Sequence, residues 1–471
     1  MRLLLLAALS VLLVSSANAT ATDAANDAAA VLINLPSADL LANIGENLVF
    51  SSPLANVDAL AIRIPEKRKR AILAKRQANS GNVAAQFAHG VASGDPLPNA
   101  FILWTKVTPA TRSSSVPVAY QVSTTKDFSA VVRSGAVLTT SDVDFTVKID
   151  VTGLAPATRH WYRFITAGPD ATTTPMIVSP VGTVSTLVAE GASLDKYKMA
   201  IFTCSNMPHG YFRGFSAIAA DPSIDVTIHL GDYIYEYDLA TYMPGNSWKT
   251  PADRIPVPNK IIVTLDEYRA RHAQYKTDGD LQTMHAAKPL IAVWDDHEFA
   301  DNAYVNGSVD HNATSQGPWS ARKLAAARAY HEYMPIRPTL LADGFYKVYR
   351  QFRIGDLVDL LMLDTRTDGR TQQAVGDPNS RMLIGDEQRA WLYNGLSQST
   401  TTWRVLGNQV MFAPKPTRYF FGLPELNSLA DDWNGYPKAR QGLLDHVTNN
   451  KINDTVILTG MSFFLFLFLV R

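Results

Sequence analysis

Hydrophobic and polar residues alternate in short segments between residues 84 and about 190, and Gly, Pro, Asp and Ser residues bound each segment. Alternation of this length is typical of half-buried β-strands, because successive side chains point to opposite faces of a sheet. The strands predicted in this way are Phe101–Trp104, Val118–Val122, Phe145–Ile149 and Trp161–Phe164. We therefore expect a small β-sandwich over residues 84–190, which serves as a scaffold.

The pattern changes at about residue 196, where short apolar runs begin to alternate with segments of helical periodicity. The predicted strands are Met199–Phe202, Val226–Leu230, Leu290–Trp294, Leu357–Leu363, Val405–Phe412 and Val456–Leu458. The predicted helices are Trp319–Tyr333, Gln388–Ser397 and Ala439–Asn449. Strands that alternate with helices favour a layered α/β architecture, and we assign residues 196–471 to it.

Three of the apolar runs end in side chains that can bind metal ions. Cys204 follows the first run, Asp232 follows the second, and Asp295, Asp296 and His297 close the third. Ligands of open α/β sheets bind outside the carboxyl ends of the strands, so these side chains are expected to share one site. The sequence has neither a GxxxxGK[ST] phosphate loop nor a GxSxG nucleophile elbow. Metal-assisted hydrolysis is therefore the favoured chemistry.

The N-terminal segment has the pattern of a secretory signal. Arg2 supplies the positive charge, Leu3–Val14 is the apolar region, and Ala17–Ala19 matches a cleavage site of the small-x-small type. We expect a signal peptide at residues 1–19, since the apolar region is too short for a comfortable membrane anchor. Residues 20–83 predict a propeptide or flexible N-terminal arm, and the mature protein is expected in an extracellular or periplasm-like space.

The charge balance argues against a nucleic-acid partner, because Lys plus Arg equals Asp plus Glu at 43 each. No transmembrane segment is predicted, and we expect a monomer. Three glycosylation sequons fit export in a eukaryote: Asn306–Ser308, Asn312–Thr314 and Asn453–Thr455.

Hydrolysis of a phosphate ester requires charge neutralisation at the phosphoryl oxygens and a nucleophilic water, which two metal ions about 3.5–4 Å apart supply together. Asp232 is the best candidate for a bridging carboxylate, although an aspartate that opens an ordinary turn has the same local sequence. Tyr235 can bring a phenolate to the same centre, unless it only packs in the core. Cys204, the single cysteine, is either a ligand or a small buried residue. Thiolate together with phenolate suits Fe3+ better than Mg2+ or Ca2+.

Asp295, Asp296 and His297 place two carboxylates and an imidazole at one strand end, where a solvated acidic turn is the alternative. We expect at least one carboxylate to bind metal, and we expect His297 either to ligate or to donate a proton to the leaving alcohol. Asn302 can offer an amide oxygen to a hard cation. Arg366 can clamp a phosphate through two hydrogen bonds, and either residue could instead be structural.

Six motifs, in order from about residue 84 to 460, resemble those of the PhoD-type alkaline phosphatases: Phe87–Pro96, Thr203–Asn206, His229–Glu236, Trp294–Glu298, Leu363–Arg366 and Leu406–Gln409. The resemblance implies an α/β calcineurin-like metallophosphoesterase domain preceded by a small β-sandwich. It also implies an Fe3+ and Ca2+ centre and activity on phosphate mono- and diesters, so small phosphate esters are the expected substrates, with phospholipids as a further class. By motif, the family's cysteine, aspartate and tyrosine ligands fall on Cys204, Asp232 and Tyr235, and its downstream acidic motif falls on Asp295 and Asp296.

The turn at Val151–Thr158, which precedes Tyr162, resembles a turn of fibronectin type III domains. We therefore expect the predicted β-sandwich to be fibronectin III-like.

The chain departs from the family at its next metal-binding motif, Thr-Gly-Asp-x-His. Thr459 and Gly460 begin this motif, but Met461 and Phe463 stand in the places of the aspartate and the histidine. An apolar run follows as far as Val470, and we interpret the ending as that of a C-terminally truncated or mis-spliced product. Loss of two ligands predicts weaker metal binding, since ligand number and geometry set affinity.

Three functions remain open at this point. The first is a secreted metal-dependent phosphatase that hydrolyses phosphate mono- and diesters. The second is a phospholipase D-like phosphodiesterase, which would share the site and differ in its contacts to the leaving group. Residues 238–264 are the candidate loop for these contacts. The third is an inactive, truncated binding protein.

Overall fold

The structure, a computed structural model, describes residues 87–109, 115–166, 176–242, 250–414 and 431–460, together with the backbone of strand 466–470. The predicted signal peptide at 1–19, the predicted arm at 20–83, and the positions of Met461 and Phe463 lie outside the described residues. Within the described part of the chain, no helix combines the length and the apolar character needed to cross a bilayer.

Eight strands form the N-terminal part of the described chain: β1 (Val91–Leu97), β2 (Ala100–Lys106), β3 (Ser115–Ser123), β4 (Val131–Thr140), β5 (Thr146–Val151), β6 (Arg159–Thr166), β7 (Ile177–Val178) and β8 (Gly182–Ser185). The four strands predicted from alternation are confirmed as β2, β3, β5 and β6. One sheet has the order β4-β3-β6-β7, with β8 also paired to β6. Its inner face packs against β2 and β5 around Phe101, Val118 and Phe164.

Ten further strands follow: β9 (Met199–Phe202), β10 (Val226–His229), β11 (Leu290–Ala292), β12 (Thr339–Leu340), β13 (Tyr346–Lys347), β14 (Arg350–Ile354), β15 (Val358–Met362), β16 (Trp403–Asn408), β17 (Thr455–Thr459) and β18 (Phe466–Val470). The helices among them are α1 (Arg213–Ala220), α2 (Leu239–Tyr242), α3 (Leu265–Tyr275), α4 (Gly279–Ala287), α5 (Ala313–Gln316), α6 (Trp319–Tyr333), α7 (Asp386–Gln398) and α8 (Pro437–Asn449). The predicted α/β strands are confirmed as β9, β10, β11, β15, β16 and β17, and the predicted helices as α6, α7 and α8.

A single six-stranded sheet crosses the boundary predicted near residue 190. Its order is β5-β2-β1-β11-β10-β9, and β1 meets β11 in parallel where Gly94 pairs with Leu290. A side chain at Gly94 would place its Cβ only 2.2 Å from the carbonyl oxygen of Pro335 and 2.5 Å from that of Leu290. Glycine is therefore required for this close approach, which joins the N-terminal strands to the sheet that carries the site.

The second large sheet has the order β14-β15-β16-β17-β18. Strands β15, β16 and β17 run parallel, while the backbone of β18 pairs antiparallel with β17 at the edge. The main core lies between the two large sheets and includes Ile228, Leu290, Leu360 and Val405. Helices α7 and α8 cover the other face of the second sheet. Because β9, β10 and β11 are parallel, their carboxyl ends meet at one edge, where the predicted ligands lie.

Candidate metal centre

The turn after β10 brings two strand ends into close contact. Gly231 has a φ of 112°, and a Cβ at this position would lie 2.4 Å from the Cβ of Asp295. Asp232 follows with a φ of 59°, a left-handed conformation that costs free energy in a residue other than glycine. The local strain is compensated by the surrounding contacts, and it aims the carboxylate of Asp232 at the end of β11.

Glu298 holds these two strand ends together, a role that the sequence analysis missed. Its buried carboxylate accepts hydrogen bonds from the backbone N–H groups of Asp232 at 3.1 Å and Asp295 at 2.7 Å, and from that of Tyr233. Burial raises the pKa of Glu298 to about 8 in spite of these donors. The available signal was an acidic residue inside the motif Trp294–Glu298, since such a residue can satisfy the amides of neighbouring turns.

Three predicted residues supply one compact group of metal-binding atoms. One ligand atom from each of Asp232, Asp296 and His297 lies within 4.8 Å of the other two, and all three residues are buried. The spacing is short enough for one cation to contact all three atoms. The structure therefore brings together the ends of β10 and β11 as the sequence predicted.

Cys204 and Tyr235 converge on the same carboxylate. The thiol of Cys204 donates to Oδ2 of Asp232 at 3.3 Å, and the phenol of Tyr235 donates to the same oxygen at 3.1 Å. Burial and the charge of Asp232 raise the pKa of the Cys204 thiol. A cation would have to displace the thiol proton before the sulfur could ligate.

His297 lies between carboxylates that orient it and favour its charge. Its Nδ1 is 2.8 Å from Oε2 of Glu236, and its Nε2 is 3.8 Å from Oδ1 of Asp301. Burial opposes the imidazolium, but Glu236, Asp232 and Asp296 outweigh it and raise the pKa of His297 well above its ordinary value. Glu236, which sequence reasoning did not select, is therefore the residue that orients the imidazole.

The guanidinium of Arg366 is fully buried among three carboxylates. It donates to Asp295 through Nε, lies 3.3 Å from Oδ1 of Asp296, and lies 2.6 Å from Oδ2 of Asp431. These contacts make Arg366 an ion-pair partner that fixes the carboxylates, and its predicted role as a phosphate clamp stays a prediction. Asp431 had no recognisable pattern in the sequence.

Asn302 acts on the site through its backbone. With a φ of 54°, it directs its N–H to Oδ2 of Asp296 at 2.6 Å, while its side-chain amide donates to Asp301 at 2.7 Å. The first contact fixes the orientation of the Asp296 carboxylate. The predicted ligation of a cation by the amide oxygen of Asn302 stays a prediction.

The residues present fit a bound cation. Oδ1 of Asp232 and Oδ2 of Asp295 are buried and have no hydrogen-bond donor among the described residues. Burial raises the pKa of Asp232 to about 6, and burial with neighbouring negative charge raises that of Asp295 well above its usual value. Unsatisfied buried carboxylate oxygens are costly, and a cation is the partner that would satisfy them.

Asn206 is a further buried polar residue, two positions after Cys204. Both atoms of its side-chain amide are buried and without a hydrogen-bond partner among the described residues. Asn206 lines a cavity of about 10 Å³, which Tyr235 and Arg271 also line.

Comparisons with known proteins agree on one family. The family model described as PhoD-like phosphatase matches residues 199–463, and the model for the N-terminal domain of PhoD-like phosphatases matches residues 73–188. Alkaline phosphatase D of Bacillus subtilis (strain 168) is 35% identical over 393 residues, which cover 79% of this chain and 64% of that protein. The chain thus spans less than two thirds of the length of this relative.

A solved structure described as that of PhoD matches with a TM-score of 0.70 and 34% identity, and the match covers 79% of this chain and 71% of that one. A match of this quality shows that the two chains share their fold.

Proposed function

Because the chain belongs to the PhoD-like phosphatase family, we propose that it is a metal-dependent hydrolase of phosphate mono- and diesters. The observation that carries the proposal is the convergence of Cys204, Tyr235, Asp296 and His297 on the carboxylate of Asp232. Sulfur, phenol and carboxylate donors from three separate segments lie at one sheet edge, which is the position where α/β folds bind ligands.

We assign the donors to two cations by their chemistry. Cys204, Tyr235 and Asp232 form a strongly donating set that suits Fe3+, while Asp296 and the amide of Asn302 offer the oxygen ligands that Ca2+ prefers. Asp232, one oxygen of which has no hydrogen-bond donor among the described residues, is the carboxylate that would hold both cations. Bound cations would polarise the phosphoryl oxygens and supply a nucleophilic water near neutral pH.

The residues of the chain have separate tasks in this proposal. His297, which Glu236 orients at 2.8 Å, donates a proton to the leaving alkoxide oxygen. Arg366 holds Asp295 and Asp296 in place through its ion pairs. The buried setting of these groups strengthens their electrostatic interactions with a phosphoryl group, because water screens them less.

The finer classification belongs to the same proposal. We assign residues 84–190 to a fibronectin III-like β-sandwich and residues 196–471 to a calcineurin-like metallophosphoesterase domain. The signal pattern at residues 1–19 and the sequons support a secreted, glycosylated protein. A phospholipase D-like specificity and an inactive binding protein are the alternatives that the experiment must separate.

The test uses the purified full chain, loaded with Fe3+ and Ca2+, and three substrates: p-nitrophenyl phosphate, bis-p-nitrophenyl phosphate and phosphatidylcholine vesicles. We expect hydrolysis of the first two, abolished by a chelator and by Asp232→Asn. Elemental analysis should find iron near one per chain. Turnover of vesicles alone would favour the phospholipase, and a metal-loaded chain without any turnover would indicate the binding protein.

A further inference from the structure

Arg271 is a buried arginine near the end of α3 whose hydrogen bonds go to backbone carbonyl groups. On one side its Nη1 donates to the carbonyl oxygens of Tyr235 and, at 2.9 Å, of Tyr237. On the other side its Nη2 donates to the carbonyl oxygens of Pro258 at 2.7 Å and Lys260 at 3.3 Å. The guanidinium therefore joins two segments that are distant in sequence.

The hydrogen bonds of Arg271 to the two backbone segments depend on each other. A buried guanidinium has five N–H donors to satisfy, and an unpaired donor or charge in the interior is costly. Among the described residues, Arg271 forms no ion pair with a carboxylate, so its N–H donors depend on the carbonyl groups. Both segments must be in place for the guanidinium to be satisfied, and each segment thereby fixes the other.

Gln274, three residues further along α3, holds the second segment from the same side. Its amide oxygen accepts from the N–H of Val257 at 2.7 Å, and its amide nitrogen donates to the carbonyl oxygen of Ile255 at 2.6 Å. Residues three apart lie on one face of a helix. This face of α3 thus holds part of the segment that the sequence suggested for leaving-group contacts.

The first segment carries the candidate ligand Tyr235. Its phenol donates to Asp232 at 3.1 Å, and its ring lies against that of His297 with 4.2 Å between centroids. Arg271 holds the carbonyl group of Tyr235, and the N–H of Ile262 holds that of Glu236 at 3.0 Å, so both contacts help to fix the backbone that carries the phenol.

We propose that Arg271 is a positioning residue, which fixes the phenol of Tyr235 for cation ligation by tying the 235–237 backbone to the 257–260 loop. The inference rests on the proposed metal centre. According to this inference, Arg271 contributes to the Fe3+ affinity of the centre although its own hydrogen bonds go to carbonyl groups. Substitutions of residues that orient a metal ligand typically cost about 10–100-fold in metal affinity.

The experiment titrates the full chain with Fe3+ alone and follows the visible absorption band of an iron-bound phenolate. We expect Arg271→Met and Arg271→Lys to lower the Fe3+ affinity by about 10–100-fold and to shift or weaken the band. Lysine fails because one ammonium cannot span both segments. The matched control is Arg269→Lys, on the same helix and buried in an ion pair with Glu332, which should leave band and affinity unchanged even if stability falls.

A double-mutant cycle separates positioning from general damage. In the Tyr235→Phe background, Arg271→Met should cause less than about a twofold further loss of Fe3+ affinity, because its effect passes through the phenol. An undiminished loss in that background, a wild-type affinity in Arg271→Met, or a wild-type chain without the band would overturn the inference. A wild-type chain with the band but without hydrolysis counts against the proposed function alone.

Discussion

The thiol of Cys204 donates a hydrogen bond to Oδ2 of Asp232 at 3.3 Å, so two candidate ligands share a proton where a cation would bind. Burial and the charge of Asp232 raise the pKa of the thiol, and burial raises the pKa of Asp232 to about 6. The thiol therefore holds a proton at neutral pH that ligation of the sulfur must displace, and Asp232 holds one at lower pH.

Metal affinity is expected to rise with pH for this reason. Ligands bind cations in their deprotonated forms, and both pKa values are raised, so acidification favours the protonated, metal-free state. Calorimetry of Fe3+ binding in buffers of different ionisation enthalpy should detect proton release at pH 7. Cys204→Ser should bind more weakly and release fewer protons. If the two proteins release equal numbers of protons, Fe3+ binding does not displace a proton from the Cys204 thiol.

Asp232→Asn should abolish activity and yet stabilise the metal-free protein. The pKa of Asp232 is raised from 3.8 to about 6 in the folded state, so the native state binds more protons and loses stability as pH rises from about 4 to 6. At pH 7 the buried carboxylate costs up to about 3 kcal/mol, which asparagine avoids. Urea unfolding of both proteins with a chelator at pH 4 and pH 7 measures this. If Asp232→Asn is no more stable than the wild type at pH 7, the pKa of Asp232 is not raised in the folded protein.

Much of the fold could be predicted because short apolar runs have few alternatives between turn signals. Met199–Phe202 and Trp319–Tyr333 were predicted to the residue as β9 and α6. The continuous sheet across residue 190 could not be predicted, since it depends on Gly94 approaching Leu290 over a long sequence separation. Periodicity reports the face that a strand buries, but it does not report the neighbour that the strand pairs with.

The sequence predicted the candidate ligands that follow strand ends. It did not predict the residues from other segments that hold these ligands in place. Asp232 and Asp296 stand at strand ends, and parallel strands bring such residues together. Asp431 reaches Arg366 from a distant segment, and Arg271 acts through backbone carbonyl groups. Such contacts leave no pattern in the sequence, because any residue supplies a carbonyl group.

Glu298→Gln should loosen the centre more than it unfolds the protein. Both carboxylate oxygens of Glu298 accept from backbone N–H groups, at Asp232, Tyr233 and Asp295. Glutamine has one acceptor oxygen and turns an NH2 group toward a donor, a loss of about 1–3 kcal/mol. Titration with Fe3+ should show weaker binding together with a lower midpoint of thermal unfolding.

The matched control for this substitution is Glu190→Gln, because the side chain of Glu190 is 61% exposed. It should leave both quantities unchanged. Wild-type Fe3+ affinity in Glu298→Gln would show that the strand ends hold their places without the carboxylate.

His297→Asn should impair poor leaving groups more than good ones. If His297 donates the leaving-group proton, an alkyl phosphate depends on it, whereas p-nitrophenolate departs without protonation. We expect kcat to fall about 100-fold or more for the alkyl ester and far less for the nitrophenyl ester. Glu236→Gln should also lower kcat more for the alkyl ester than for the nitrophenyl ester. The loss should be smaller than in His297→Asn, because Glu236 only orients the imidazole. Equal losses on both substrates would assign His297 to metal binding.

Met461→Asp combined with Phe463→His should strengthen the centre. Both positions lie outside the described residues, but Gly460 just before them places its Cβ position 2.7 Å from Oγ1 of Thr203, the neighbour of Cys204. Gly460 thus lies beside the neighbour of a candidate ligand, and we expect a carboxylate and an imidazole added after it to increase the number of ligands.

We expect Fe3+ affinity and phosphodiesterase activity to rise together by about tenfold or more in this double variant. The control is Met461→Asn with Phe463→Leu, which changes the same positions without adding strong ligands. If both double variants bind Fe3+ as the wild-type chain does, residues 461 and 463 do not reach the centre.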